Sequence, residues 1–141
     1  MKKILIILIT LLTFGALFSA PLSEGFEGTT CPADGWSLRY ANASPPAGNL
    51  MSHTTSYFRT GARSFRFSSY SSGSPYDQYL ISPELITTSG DQTISFWYRK
   101  SYSSTETFRV GWSTTDNQSA SFTWSANITN APNSTTWVLL S

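Results

Sequence analysis

Residues 79–85 read YLISPEL and residues 93–99 read TISFWYR. The second stretch alternates apolar Ile94, Phe96 and Tyr98 with the residues between them, which is the period of a half-buried β-strand. The first stretch is a short apolar run that contains Pro83, and proline cannot donate a ladder hydrogen bond. That strand must therefore end, bulge or lie at a sheet edge at Pro83. With turn-rich residues 87–91 between them, the two stretches predict consecutive strands.

The same alternation recurs along most of the chain after residue 22, whereas helical spacing hardly appears. It is found in residues 36–40, 65–67, 108–112 and 122–124. Segments rich in Gly, Pro, Asn, Asp and Ser separate these stretches, as turns require. About seven short strands punctuated in this way predict an all-β fold, a two-sheet antiparallel β-sandwich. The apolar positions of the alternation predict a core that contains Phe65, Phe67, Phe96, Trp112 and Trp124.

The N-terminus has the layout of a secretory signal peptide. Lys2 and Lys3 precede an apolar run over residues 4–18, and small residues follow at Ser19 and Ala20. The run is too short and wrongly flanked for a membrane span. We therefore expect residues 1–20 to be a signal peptide, with cleavage between residues 19 and 23. Residues 21–141 are then one exported domain that does not span a membrane.

Charge and cysteine content exclude several functions. The chain has nine Lys and Arg against eight Asp and Glu, and two of the lysines lie in the leader, so the exported part is close to neutral. It therefore offers no basic face for nucleic acid or anionic lipid. Cys31 is the only cysteine, which excludes an internal disulfide and a thiolate metal cluster. We expect Cys31 to be buried or to pair with a cysteine outside this sequence.

Residues typical of catalysis are sparse. His53 is the only histidine and lies in the Ser- and Thr-rich residues 51–56, which predict a surface loop or turn. No motif places a nucleophile or an orienting carboxylate beside it. The carboxylates are scattered, and the sequence cannot bring two of them into the range of a glycosidase pair. The sequence therefore predicts a protein without catalytic residues that is not an enzyme.

Aromatic residues outside the predicted core are the candidates for ligand binding. Tyr70, Tyr76 and Tyr102 fall in turn-like segments, and Trp97 lies on the polar face of its strand. Aromatic rings beside hydroxyl groups can stack on sugars or anchor a protein surface. The alternative for Trp97 is that it packs against the second sheet or a crossing loop.

The C-terminal residues 137–141 read WVLLS, which is typical of a strand beginning. Nothing follows in the sequence to pair with this strand or to turn it. We therefore expect that the domain lacks its last strands.

An ordered set of motifs resembles the cleaved-adhesin family. That family includes the choice-of-anchor J modules of secreted bacterial proteins and is related to MAM domains. The motifs span residues 24–141 and are, in chain order, 25–28 (GFEG), 32–36 (PADGW), 61–65 (GARSF), 79–85 (YLISPEL), 94–99 (ISFWYR), 108–115 (FRVGWSTT) and 137–138 (WV).

The resemblance implies a MAM-like jelly-roll sandwich in a bacterial secreted or cell-surface protein, usually as one module of a longer chain. It also implies a structural calcium ion held by Glu27, at the start of the fold, and Asp77 is a candidate second ligand. Calcium takes six to eight oxygen ligands, which carboxylates and main-chain carbonyls of converging loops can supply. The family's closing strands, which usually include an Asp-containing segment, are absent from this sequence.

Three functions remain open at this point. The first is a non-catalytic adhesin-like module that binds a glycan or an extracellular protein surface. The second is a structural spacer that presents neighbouring domains and binds nothing. The third is an accessory domain of a secreted peptidase or glycosidase. The full-length reading frame would separate them most directly.

Overall fold

The computed structural model describes residues 22–40, 50–68, 77–85, 92–101, 105–129 and 136–141. Within these ranges the chain forms ten short strands and a single-turn 3₁₀ helix at Ser119–Ser121, with no α-helix. Every strand pair is antiparallel. The predicted fold class, an all-β antiparallel protein, is confirmed.

The strands are each two to four residues long. In chain order they are β1 Ser37–Tyr40, β2 Ser52–Thr54, β3 Ser64–Arg66, β4 Gln78–Ile81, β5 Phe96–Tyr98, β6 Thr107–Phe108, β7 Gly111–Trp112, β8 Thr123–Trp124, β9 Ile128–Thr129 and β10 Val138–Leu140.

The first four strands make one long hairpin. β1 pairs with β4, and β2 pairs with β3 inside them. Ser52 lies as many residues after Tyr40 as Gln78 lies after Arg66, and Tyr40 faces Gln78 while Ser52 faces Arg66. The two ladders therefore share one register, and residues 55–63 connect β2 to β3.

Two side chains connect these ladders. The hydroxyl of Tyr40 accepts a hydrogen bond from the backbone N–H of Met51 at 2.9 Å. Directly opposite, the side-chain oxygen of Gln78 accepts the N–H of Ser68 at 3.2 Å, and its amide nitrogen donates to the Ser68 carbonyl. The backbone N–H groups of Met51 and Ser68 are thus satisfied by side chains. Met51 itself is 4% exposed and is the buried hydrophobic residue of the described chain.

The remaining six strands form a second nested hairpin. β5 pairs with β10, β6 with β9 and β7 with β8. Thr107 lies as many residues after Tyr98 as Val138 lies after Thr129, so the two outer ladders share one register. Two nested antiparallel hairpins are the pairing on which a jelly-roll sandwich is built.

A one-residue offset separates the two inner ladders of the second hairpin, because residues 125–127 lie opposite only 109–110. This is the excess of one residue that defines a β-bulge. The Ser125 hydroxyl accepts the N–H of Val110 at 3.1 Å, and the Ser125 N–H donates to the Val110 carbonyl at 2.8 Å. A side chain therefore supplies the acceptor that the bulge removes from the ladder.

The two hairpins meet through an aromatic contact and an arginine. The rings of Tyr79 in β4 and Trp124 in β8 have centroids 6.0 Å apart. Arg39 in β1 donates to the Asn117 carbonyl at 2.7 Å, and to the side-chain oxygens of Asn117 and Gln118 at 3.2 Å each. The turn between β7 and β8 is thus fastened to the first hairpin.

The strand predictions were correct in part. β4 ends at Ile81, before Pro83, as the missing donor requires. β2 and β9 were not predicted, because two or three residues are too few to show an alternation. The predicted C-terminal strand is present: β10 pairs with β5, a strand far earlier in the chain. The expectation that the domain lacks its last strands stays a prediction.

The predicted burial of two core residues is wrong. Phe67 is 54% exposed and Trp112 is 53% exposed, whereas the other three predicted core residues (Phe65, Phe96 and Trp124) are partly buried. Phe67 lies just beyond the end of β3, so the strand pleat does not fix its direction. Trp112 is the last residue of β7, beyond the bulge, where no described element covers it.

Candidate functional site

The outer surface of the β5–β10 ladder carries the exposed tryptophan that the alternation predicts. Trp97 and Leu139 are directly opposite each other and are 42% and 49% exposed. The neighbouring residues of the ladder point to the other side, where the rings of Phe96 and Tyr98 contact Phe108 at centroid distances of 6.1 and 4.9 Å. The pleat thus separates an inner aromatic cluster from an outer apolar pair.

The connection between β2 and β3, residues 55–63, lies against this outer surface. The guanidinium carbon of Arg59 is 3.8 Å from the centroid of the Trp97 ring. That of Arg99, two residues after Trp97 and on the same side of β5, is 4.6 Å from the Tyr57 ring and 5.8 Å from the Trp137 ring. Distances of this size are cation–π contacts. We call the surface formed by Tyr57, Arg59, Trp97, Arg99, Trp137 and Leu139 the Trp97 face.

Hydrogen bonds hold the connection on both sides of Tyr57 and Arg59. The Thr54 hydroxyl accepts the N–H of Ser56 at 3.2 Å, and the Ser64 hydroxyl donates to the carbonyl of Tyr57. The Trp97 face is therefore built from a strand pair and an anchored loop, which is how a rigid scaffold presents a binding surface.

The arginines of the Trp97 face are not neutralised. Within the part of the chain that the structure describes, no ion pair joins Arg59 or Arg99 to a carboxylate. The Nε of Arg99 is buried and has no hydrogen-bond partner. A buried donor on a charged group carries a desolvation cost until a partner is supplied. The face therefore presents cations on aromatic rings, and the exposed Arg59 makes no hydrogen bond within the described chain.

The structure places only one of the four predicted ligand-binding aromatics. Trp97 faces outward from β5, and a crossing loop also covers part of it, so its ring is both exposed and packed. Tyr70, Tyr76 and Tyr102 lie outside the described residues. Their predicted role in binding stays a prediction.

Glu27, the first predicted calcium ligand, contacts the backbone of the connection between β2 and β3. Its Oε2 accepts the N–H of Ala62 at 2.8 Å. The preceding residue, Phe26, has φ of 57°, rare for a bulky side chain, and its ring packs against Trp36 and Phe65 with centroids 5.3 Å away in each case. Aromatic packing thus fixes the backbone that presents the Glu27 carboxylate.

The ligand chemistry around Glu27 is compatible with calcium. A carboxylate has about four lone-pair positions, so one N–H donor leaves others for a cation. Asp77 is exposed immediately before β4. Among the described residues, His, Cys, Asp and Glu form no group of three that could hold a metal, so main-chain carbonyls would have to supply most of the ligands. Calcium at Glu27 and Asp77 remains a prediction.

His53 and Cys31 differ from the sequence prediction. His53 lies in β2 and is half-buried, so its placement in a surface loop is wrong. Its Nδ1 is 2.9 Å from the Gly28 carbonyl, its ring lies against Phe26 and Phe65, and its Nε2 is buried without a hydrogen-bond partner. Cys31 is exposed, so burial, the first of its two expected states, is wrong, and pairing with a cysteine outside this sequence stays a prediction.

A second concave surface lies on the inner side of the second hairpin. It is an open groove of about 430 Å³ with a largely apolar lining that includes Ile94, Phe96, Val110, Trp112, Ile128 and Leu140. Specific ligand sites usually combine an apolar wall with a few placed polar groups. Because the Trp97 face has both and the groove has mainly the first, the Trp97 face is the stronger candidate.

The sequence analysis missed most of the Trp97 face. Arg99 lies just past the end of β5, where the alternation no longer fixes the direction of a side chain. Leu139 needed the register of β5 with β10. Tyr57 and Arg59 belong to a connection whose position against β5 no local pattern encodes.

Comparison with known proteins gives the family. No helix in the described ranges has the length and apolar character needed to cross a bilayer. No curated protein and no solved structure shows significant similarity to the chain. The family model for the Cleaved Adhesin Domain matches residues 19–136. Since this match covers most of the sequence, as the ordered motifs predicted, the chain belongs to the cleaved-adhesin family.

Proposed function

We propose that the protein is an exported, non-catalytic adhesin module that binds a glycan or an extracellular protein through the Trp97 face. The observation that carries the proposal is the exposed pair of Trp97 and Leu139, flanked by arginines that have no carboxylate partner in the described chain. Exposed aromatic and arginine side chains on a fixed scaffold are the residues that dominate binding energy at protein surfaces.

The family supports an extracellular setting. An adhesin domain implies a secreted or cell-surface protein in general, and the basic and apolar leader over residues 1–20 is consistent with export. We propose bacterial export and cleavage between residues 19 and 23. Residues 1–21 lie outside the described part of the chain.

The proposal that the module does not catalyse is supported by the surroundings of its titratable groups. The His53 ring is engaged by the Gly28 carbonyl and two phenyl rings. The Glu27 carboxylate is engaged by the Ala62 N–H. Neither contact provides a nucleophile beside a base, which general acid–base or nucleophilic catalysis requires.

The test is binding of the secreted protein to arrays of glycans and matrix proteins. We expect weak, reproducible binding that Trp97→Ala abolishes. The matched control is Trp112→Ala, because Trp112 is similarly exposed but lies in β7, outside the Trp97 face. Tyr76→Ala and Tyr102→Ala test the two tyrosines whose positions are not described, and circular dichroism verifies that each variant is folded.

Each alternative function predicts a different result. A spacer domain predicts arrays without signal and no effect of Trp97→Ala. An accessory domain of a hydrolase predicts binding to the substrate of the neighbouring catalytic unit. Hydrolysis of a peptide or glycoside by the purified protein, abolished by His53→Ala or a single carboxylate substitution, would contradict the non-catalytic assignment.

A further inference from the structure

Of the three cation–π contacts on the Trp97 face, two join the connection between β2 and β3 to the segment that contains β5. In one, Arg59 of the connection lies over Trp97 of β5, and in the other, Arg99, the residue after β5, lies near Tyr57 of the connection. Within each segment, the arginine and the aromatic residue are two positions apart. Each guanidinium group therefore lies against an aromatic ring of the other segment.

These contacts position the guanidinium groups but provide no hydrogen-bond acceptors for their N–H groups. A ring face attracts a guanidinium yet accepts no conventional hydrogen bond, so the planar donor fork of each arginine stays available. Arg59 is exposed and makes no hydrogen bond within the described chain, so its N–H groups can reach a ligand. The chemical group that complements a fixed guanidinium fork is a carboxylate or a similar oxyanion.

We infer that the Trp97 face binds an oligosaccharide that carries carboxylate groups, of the uronic acid class. Arg59 and Arg99 pair with the carboxylates, while Leu139 and the part of Trp97 that Arg59 leaves exposed provide apolar surface for the sugar rings. This inference rests on the proposed function and specifies its ligand. A chain of uronic acids carries one carboxylate on every ring, so one oligosaccharide can offer a carboxylate to each arginine.

The position of Arg59 argues against a neutral sugar. Its guanidinium covers one face of the Trp97 ring at 3.8 Å. A neutral sugar stacking on that face would have to displace the cation and lose the contact. An acidic sugar instead adds charge-assisted hydrogen bonds to an arginine that is already held.

The experiment compares two forms of one polymer. Oligomers of polygalacturonate and the same oligomers with all carboxylates methyl-esterified differ in charge and not in backbone. We expect the acidic oligomers to bind the secreted protein at least about tenfold more tightly, the scale of one hydrogen bond to a charged group. Arg59→Gln and Arg99→Gln should each lower the affinity for the acidic form by about the same factor and weaken its salt dependence.

The control variants separate charge from packing. Arg109→Gln removes an exposed arginine that lies 4.9 Å from the Trp124 ring, outside the Trp97 face, and should leave binding unchanged. Arg59→Lys keeps the charge over Trp97 and should retain more binding than Arg59→Gln. Arg59→Lys also tests the role of Arg59 if the Arg59→Gln variant does not fold.

The outcomes distinguish this inference from the proposed function. Equal binding of both polymers, lost in Trp97→Ala, would overturn the acidic-sugar assignment and leave the adhesin function intact. Equally tight binding of polyglutamate would show that the ligand is an acidic protein rather than a sugar. Tighter binding of a sulfated polymer at matched charge would show that the face recognises sulfate rather than carboxylate. No binding of any glycan or protein would contradict both proposals.

Discussion

The carboxylate of Glu27 accepts a hydrogen bond from the backbone N–H of Ala62, with Oε2 and nitrogen 2.8 Å apart. Gly61, the residue before Ala62, has φ of +72°, a backbone conformation that residues with a Cβ rarely adopt. A Cβ at Gly61 would also collide with the Glu27 carboxylate. The contact of the Glu27 carboxylate with the connection that carries Arg59 therefore requires a residue without a Cβ at position 61.

Gly61→Ala is expected to destabilise the protein. Left-handed backbone costs a non-glycine residue about 1–2 kcal/mol, and displacement of Glu27 adds to it. The measurement is the midpoint of urea unfolding. Gly28→Ala is the matched control, because a Cβ there meets nothing within 4 Å and the backbone is not left-handed. Equal stability losses in the two variants would contradict the role of the Glu27 contact.

Calcium is expected to stabilise the protein through Glu27. A ligand present at a hundred times its dissociation constant adds about 2.7 kcal/mol to the free energy of unfolding. Thermal melting with calcium and with a chelator measures the effect. Glu27→Gln should abolish the shift, and Asp77→Asn should reduce it if Asp77 is a second ligand. An unchanged melting temperature of the unaltered protein on adding calcium would dispose of the site.

Gly111 and Trp124 form a cross-strand pair in which the glycine makes room for the indole. They are directly opposite, and a Cβ at Gly111 would lie 2.6 Å from an indole carbon. Trp124 also contacts Tyr79 of the other hairpin, so it cannot move freely. Gly111→Ala should cost about 1–3 kcal/mol, the usual penalty for overpacking.

A double-mutant cycle tests this pair. In a Trp124→Leu background the smaller side chain leaves space, so Gly111→Ala should cost clearly less than in the unaltered protein. The free energies come from urea unfolding of the four proteins. Additive effects of the two substitutions would show that the glycine is needed for another reason.

The sequence predicted those features of the fold that depend on local pattern. Alternation identified β1 and β5, and the missing donor of Pro83 correctly ended β4. It also placed Trp97 on the outward side of β5. It failed for Phe67, because a residue just past a strand end is no longer oriented by the pleat.

Features that depend on distant segments could not be predicted in this way. The partner of β10 is β5, and the position of Arg59 over Trp97 depends on how residues 55–63 pack. Neither feature produces a pattern in the neighbouring sequence. For the same reason the sequence suggested an aromatic binding surface but not the arginines that determine its charge.

Asp116, in the turn between β7 and β8, makes the free energy of unfolding depend on pH. Its Oδ1 accepts the N–H of Gln118 at 2.8 Å. This backbone donor is the main reason that the pKa of Asp116 is lowered; the Ser121 hydroxyl and the positive charge of Arg39 act in the same direction, and burial opposes them. The lowered pKa means that the folded state favours the ionised carboxylate more than the unfolded state does.

The Asp116 contribution is therefore present above the ordinary aspartate pKa and is lost as pH falls through the lowered value of the folded state. Asp116→Asn should flatten the decline in stability below about pH 4, because it removes the group that must be protonated. Urea midpoints between about pH 2 and pH 7 measure this slope. Thr114→Ala, an exposed position in the same turn, should keep the slope of the unaltered protein. A slope unchanged in Asp116→Asn would exclude this carboxylate as a source of the acid sensitivity.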